Sequence, residues 1–146
     1  MINHAQHKER YPREYLRGIE LFNQGKYWEA HEAWEDIWRV SSGERKLYYQ
    51  GLIQAAAALL HYDRHNLRGT NLCINNALAK LEALRPVYMS LDLTNFTARL
   101  REFVADAIEN DRGAVSKNVN APHPTIELIE LLDLIESEVS KDQEGV

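Results

Sequence analysis

The chain has 146 residues, a net charge of -5 at pH 7 and a single cysteine, Cys73. This length, with 45% hydrophobic and 27% charged residues, fits one globular domain with a substantial core. The lack of a clustered block of Lys and Arg argues against nucleic acid as a partner, because phosphate binding needs such clusters. One cysteine cannot form an internal disulfide, so a reducing cytoplasm is the simplest compartment.

The N-terminal residues are polar and have no apolar signal-peptide core, so we expect a flexible arm over residues 1–11. The longest uncharged segment, residues 47–62, is shorter than the roughly 20 residues that a membrane span requires. The sequence therefore predicts no association with a membrane.

Every strongly patterned segment has helical periodicity, and no convincing alternating strand is present. Pro12 suits the first turn of a helix that ends at Gly25, a residue that tolerates a left-handed cap. Further helices are expected over residues 27–40 and 44–62, with a turn at residues 41–43. The helix at 44–62 is apolar on all sides, which is typical of a helix surrounded by others.

A turn over residues 63–69 precedes a fourth helix, which ends before Pro86. Thr94 is the expected N-cap of a fifth helix, which ends at Gly113.

The C-terminal part of the chain begins with a loop predicted over residues 111–124. An apolar stripe then predicts a sixth helix over residues 125–139. The tail, residues 140–146, is polar and expected to fray. The predicted architecture is a single all-α domain, an orthogonal bundle of five to six helices, in which residues 21–30 form a tetratricopeptide-like helical hairpin.

A polar stripe on the second and third helices is the strongest candidate for a site. His31 lies on the apolar face of its helix, and Glu35 follows one turn later on the same side. Gln50, Gln54 and His61 recur at helical spacing on the next helix. If the two helices are antiparallel neighbours, these residues can face each other and form a buried polar pocket, to which Trp38 also belongs.

Two interpretations of this pocket remain open. Two imidazoles and a carboxylate form a ligand set that zinc accepts, so His31, Glu35 and His61 could hold a divalent metal. Alternatively, the polar groups form a satisfied hydrogen-bonding network or a ligand-binding pocket without metal. The resemblance of His31 and Glu32 to the zincin motif is poor, because that motif needs a second histidine where Glu35 stands.

The other aromatic and histidine residues have simpler interpretations. Trp28, Trp34 and Trp38 are at helical spacing and are expected to pack in the core and the helical hairpin rather than to form a wall on which a ligand stacks. Arg39 is expected to be an exposed partner of Glu35 or Asp36. The four remaining histidines are expected on the surface: His4, His7, His65 and His123.

Three stretches of the sequence resemble a bacterial and archaeal family called domain of unknown function 309: residues 21–35 with Trp38 and Arg39, residues 49–57 with His61, and Asn66 with Gly69. The resemblance covers about residues 10–85. It implies an all-helical domain. The family has sometimes been labelled a predicted metal-dependent hydrolase, which would place His31, Glu35 and His61 at the metal.

Two functions follow from these observations. The first is a non-catalytic helical module that binds a small molecule or a protein partner in the pocket. The alternative is a metal-dependent hydrolase with a site between the second and third helices. A homodimer is also possible, with the apolar sixth helix packed against a second copy.

Overall fold

A computed structural model describes residues 5–109 and 122–130 of the chain. Over these residues the chain forms seven helices and one short hairpin of strands. The elements, in chain order, are α1 (Ala5–Arg10), α2 (Arg13–Asn23), α3 (Tyr27–Trp38), α4 (Gly43–Asp63), α5 (Leu67–Glu82), β1 (Val87–Tyr88), β2 (Leu91–Asp92), α6 (Leu93–Phe103) and α7 (Ala105–Glu109).

The predicted all-α bundle is confirmed. Helices α2 to α5 pack in chain order, each against the next, and α6 and α7 close the bundle against α5. Helix α4 is buried along most of its length, as predicted from the apolar residues on all of its sides. The predicted end of the first helix is also confirmed, since Gly25 follows α2 with a φ of 77°. No helix in the described ranges is both long and apolar enough to cross a membrane.

The N-cap of α6 differs from the prediction. The side chain of Asp92, rather than that of Thr94, accepts a hydrogen bond at 3.0 Å from the backbone N–H of Asn95. Asp92 lies three residues before that N–H, which is the separation at which a cap side chain reaches it. Its negative charge also suits the positive end of the helix dipole.

The strand hairpin was missed in the sequence because each strand has only two residues, too few for alternation to be visible. Val87 pairs with Asp92 and Tyr88 with Leu91. The turn residues Met89 and Ser90 both have positive φ, of 46° and 64°. Such turns usually contain Asn or Gly, so Met-Ser gives no turn signal.

The expectation of a flexible arm over residues 1–11 is wrong for its described part. Residues 5–10 form α1, and the side chain of His7 is fully buried rather than exposed on the surface. His7 Nε2 donates to the backbone oxygen of Ile129, 2.9 Å away. This long-range contact has no local sequence signature. Residues 1–4 lie outside the described part.

The predicted sixth helix is also wrong where it can be checked. Residues 125–130 are not helical. Ile126 and Leu128 are buried, whereas Glu127 between them is exposed, an alternation typical of extended chain. The remainder of that helix at 131–139, most of the predicted loop at 111–124 and the tail at 140–146 lie outside the described residues.

A cluster of tyrosines joins α2, α4 and the hairpin turn. The hydroxyl of Tyr15 lies 2.7 Å from that of Tyr48 and donates to the backbone oxygen of Met89 at 2.9 Å. Tyr11 and Ser90 share a hydrogen bond of 2.6 Å. The fully buried hydroxyl of Tyr49, in contrast, has no partner among the described residues.

The contact between α2 and α3 requires a glycine. A Cβ atom placed on Gly18 would overlap the indole ring of Trp34, which is fully buried. The indole nitrogen of Trp34 donates to the backbone oxygen of Tyr15, 3.2 Å away. The ring therefore lies directly on the backbone of α2.

We expect Gly18→Ala to destabilise the protein by about 1–3 kcal/mol, because the new methyl group overpacks the core. Helix propensity alone predicts the opposite sign, a gain of about 1 kcal/mol for alanine over glycine. Urea unfolding followed by circular dichroism measures the difference, with Glu20→Ala on the exposed side of α2 as control. A rise in stability would contradict the close packing of Trp34.

The tyrosine cluster should make stability fall at alkaline pH. Burial raises the pKa of Tyr15 and of Tyr48 well above the ordinary value and that of Tyr49 to about 12. Unfolded tyrosines ionise near pH 10, so the stabilisation is complete below about pH 10 and decreases above it. Urea midpoints at about pH 9 and about pH 11 test this.

A matched pair of variants separates the roles of the tyrosines. Tyr15→Phe should cost about 1–2 kcal/mol at neutral pH, because it removes two buried hydrogen bonds. Tyr49→Phe should cost little at neutral pH and should reduce the alkaline loss, because it removes a hydroxyl whose pKa is raised and which has no described partner. Equal losses for the two variants would contradict this assignment.

Candidate functional site

The solvent-facing side of α3 carries a row of side chains in contact with one another. The ring of Trp28 stacks on that of His31, with centroids 5.3 Å apart and planes 11° from parallel. His31 Nε2 lies 3.5 Å from a carboxylate oxygen of Glu35. The other Glu35 oxygen accepts from Arg39 at 2.5 Å, so the expected exposed ion pair of Arg39 is confirmed. The spacings of three or four residues place these groups one above the other.

These side chains border a shallow cleft of about 230 Å³. Its lining consists of Trp28, His31, Glu32, Glu35, Asp36 and Arg39. Three carboxylates thus face one guanidinium, and that guanidinium contacts Glu35 and Asp36. Glu32 pairs with no cation among the described residues, so the cleft has an excess of negative charge.

Two ring nitrogens of α3 are buried without a hydrogen-bond partner in the described ranges: His31 Nδ1 and Trp38 Nε1. The two residues are seven apart, which places them on the same side of the helix. A histidine that acts as a base or a metal ligand is normally oriented by a partner on its second nitrogen. His31 contacts Glu35 through Nε2 and Trp28 through the face of its ring.

Trp28 was assigned wrongly from the sequence. It was expected in the core, yet 53% of it is exposed, whereas Trp34 is fully buried and Trp38 is partly buried. The helical wheel contains the signal: Trp28 lies about 120° from Trp34, beyond the apolar arc. Trp38 instead packs beneath Lys46, whose ammonium lies 4.5 Å from the ring centroid.

His61 has contacts different from those predicted. Its Nδ1 lies 3.0 Å from the side-chain nitrogen of Asn66. Asn66 is the N-cap of α5 and accepts a hydrogen bond from the backbone N–H of Gly69. His61 therefore supports a helix cap.

Helix register explains why His61 does not reach His31. Residues 39–42 join α3 to α4. His31 lies about ten residues before this turn and His61 about twenty after it. At 1.5 Å per residue, the two histidines differ by about 15 Å along an antiparallel pair.

The glutamines of α4 divide between two neighbours. Gln54 accepts a hydrogen bond at 2.8 Å from Lys80 of α5, so its amide oxygen is directed away from α3. Gln50 is partly buried and lies level with His31 when residues are counted from the turn. Of the residues predicted to form the pocket, His31 and Glu35 are in contact, and Trp38 lies on the same side of α3. Gln54 and His61 instead contact α5 or its N-cap residue.

The donor set for a metal is incomplete. Nowhere in residues 5–109 and 122–130 do three or more His, Cys, Asp or Glu side chains form a group that could hold a metal ion. The predicted set of His31, Glu35 and His61 is therefore not gathered there, because His61 belongs to the cap of α5. A catalytic zinc site uses three protein ligands, and the His31–Glu35 pair supplies two.

Residues 15–72 match the model of a family described as "Domain of unknown function (DUF309)". The chain is also similar to "Uncharacterized protein YpuF" of Bacillus subtilis (strain 168), with 32% identity over 101 residues. The aligned region covers 68% of this chain and 57% of that relative. The family match covers α2 from its third residue onward, all of α3 and α4, and the start of α5.

Because His61 supports the cap of α5, stability rather than binding should respond to changes there. Asn66→Ala should cost about 1 kcal/mol through loss of the cap. His61→Gln keeps a hydrogen-bonding group and should stay within about 0.5 kcal/mol of the parent. Thermal unfolding measures both, and a larger loss for His61→Gln than for Asn66→Ala would show that His61 does more than support the cap.

Proposed function

Because the chain belongs, through residues 15–72, to the family described as a domain of unknown function (DUF309), we propose its function from the geometry of α3. The domain is a non-catalytic helical module that binds a basic group of a protein partner or small molecule in the cleft beside Trp28. The observation that carries this proposal is the exposed indole ring of Trp28, which lies beside carboxylates that outnumber the cations in the lining of the cleft.

The chemistry of the cleft favours a cation. The faces of aromatic rings attract guanidinium and ammonium groups, most strongly in the case of tryptophan. Glu32 lies beside Trp28 in the lining and has no described cationic partner. An arginine side chain satisfies both groups, since its planar guanidinium stacks on a ring and pairs with a carboxylate.

A binding role also fits His31 better than catalysis does. Its Nδ1 has no described partner to fix the tautomer or orient the ring, as a general base requires. Stacking on Trp28 and contact with Glu35 instead hold the ring as one wall of the cleft. The alternative of a metal-dependent hydrolase receives no support from this arrangement, because the part of the chain that the structure describes brings no third ligand to the pair.

A titration with N-acetyl-arginine amide tests the proposal, followed through the indole N–H signals of the three tryptophans. The Trp28 signal should shift, whereas that of Trp34, which is buried and bonded to the Tyr15 oxygen, serves as an internal control. N-acetyl-glutamine amide has a similar size without the charge and should have little effect.

Paired variants locate the binding. Glu32→Gln should weaken binding roughly two- to fivefold, since a partly exposed charge contact is worth about 0.5–1 kcal/mol. Glu29→Gln makes the same change on the same helix, outside the cleft lining, and should leave binding unchanged. Equal effects of the two variants, or no shift at Trp28, would reject the cleft as the binding site.

A further inference from the structure

The second surface of interest is the groove that holds residues 122–130, hereafter the C-terminal segment. It lies on α1, α2, α3, α6 and the hairpin turn. Within it Ile126 and Leu128 are buried, while Glu127 between them is exposed. The segment therefore packs as an extended peptide that offers alternate side chains to the protein.

Asn23, the last residue of α2, binds the main chain of the C-terminal segment through both the backbone N–H and the backbone oxygen of Ile126. Its side-chain nitrogen donates to the Ile126 oxygen at 2.8 Å, and its side-chain oxygen accepts from the Ile126 nitrogen at 2.7 Å. The amide thus pairs with a peptide unit as a neighbouring β-strand would. Such a pair recognises extended backbone, whatever side chain that residue carries.

A second pair of hydrogen bonds lies three residues further on. The N–H of Ile129 donates to the Ser90 oxygen at 2.7 Å, and the Ile129 oxygen accepts from His7 Nε2 at 2.9 Å. Ser90 belongs to the hairpin turn and His7 to α1. Two residues of the C-terminal segment thus have both backbone groups paired by the groove.

An aromatic slot holds the beginning of the C-terminal segment. The ring of His123 stacks on Tyr27, with centroids 5.4 Å apart, and meets the edge of Phe103 at 5.5 Å. Partial burial against these rings lowers the pKa of His123, which favours its neutral form. The groove therefore combines backbone recognition with an aromatic anchor and apolar sites, the combination by which proteins bind extended peptides.

The C-terminal segment follows the helices of the bundle at a distance in the sequence. Residues 110–121 lie between it and the end of α7. Asn23 and Tyr27, which hold it, belong to the region that matches the family, whereas the segment lies outside that region. It contacts the groove through hydrogen bonds and through Ile126 and Leu128, which are buried in the same hydrophobic cluster as the core of the bundle.

We propose that this groove is a peptide-binding site that residues 122–130 fill in the same chain, and that the same segment of a second copy competes for it. The ligand class is an extended peptide with an aromatic or imidazole ring near its start and aliphatic side chains at alternate later positions. Exchange of the segment between two copies joins them as a dimer.

A labelled peptide with the sequence of residues 122–130 tests the site on the full-length chain. The double variant Ile126→Asp with Leu128→Asp weakens the internal segment, so it should bind the peptide at least tenfold more tightly than the unaltered chain does, since internal competition is removed. Adding Asn23→Ala should abolish this gain. A peptide carrying the same two aspartates should not bind, and Glu127→Gln in the chain, an exposed position, should change nothing.

Mixing two full-length variants tests the exchange between copies. The double aspartate variant keeps its groove, and the Asn23→Ala variant keeps its C-terminal segment. Each alone should stay monomeric in sedimentation, while an equimolar mixture should form a heterodimer. Peptide binding without heterodimer formation would overturn the second copy as the partner, and no peptide binding would overturn the site itself.

A measurement on the unaltered chain covers the case in which the aspartate variant does not fold. Excess peptide should accelerate hydrogen exchange at the amides of Ile126 and Ile129, because their partners Asn23 and Ser90 become occupied by the peptide. Exchange at the Trp34 indole should not change. Unchanged exchange at both amides with saturating peptide would reject the proposal.

Discussion

The packing of Trp34 on the backbone of α2 is the constraint on which both surfaces depend. The ring occupies the space that a side chain at position 18 would take, and its nitrogen is bonded to the Tyr15 oxygen. This contact fixes the rotation of α3 about its axis. At about 100° per residue, Trp28 then lies roughly 120° from Trp34 and faces solvent, whereas His31 and Glu35, about 60° and 100° away, are half-buried. The geometry of the cleft therefore follows from one buried indole.

The hairpin turn connects the core to the groove in a similar way. Positive φ at Met89 and Ser90 is unfavourable for side chains with a Cβ, and the tyrosine hydroxyls hold this turn at the Met89 oxygen and the Ser90 hydroxyl. The same turn presents the Ser90 oxygen to Ile129. Two buried tyrosine hydroxyls thus stabilise a strained backbone turn whose outer edge binds the C-terminal segment.

Local pattern predicted those parts of the fold that local forces determine. Helices α2 to α5 follow from apolar periodicity with Gly25 and Pro86, and the His31–Glu35 pair follows from its spacing. The extended structure of residues 125–130 could not be predicted, because their apolar side chains fit an amphipathic helix equally well. The extended form is held by Asn23, about a hundred residues earlier in the chain. His7 was misplaced for the same reason. The separation of His31 and His61 could have been calculated from their positions relative to the turn between α3 and α4. The predicted pocket was wrong for His61 because residues on facing sides of two helices were assumed to lie at the same height.

The two surfaces meet at the first turn of α3, where Tyr27 faces the groove and Trp28 faces the cleft. Neighbouring residues on a helix differ by about 100° in direction, so one rigid turn serves both sides. Coupling between two sites requires an element with two arrangements that each ligand biases. Helix α3 does not provide such an element, because Tyr27, Ala30 and Trp34 hold it in a packed core and rotation would drive the indole into Gly18. The cleft and the groove are therefore expected to bind their ligands independently. Any regulation of the domain then acts through competition for one of these surfaces and not through a conformational change of α3.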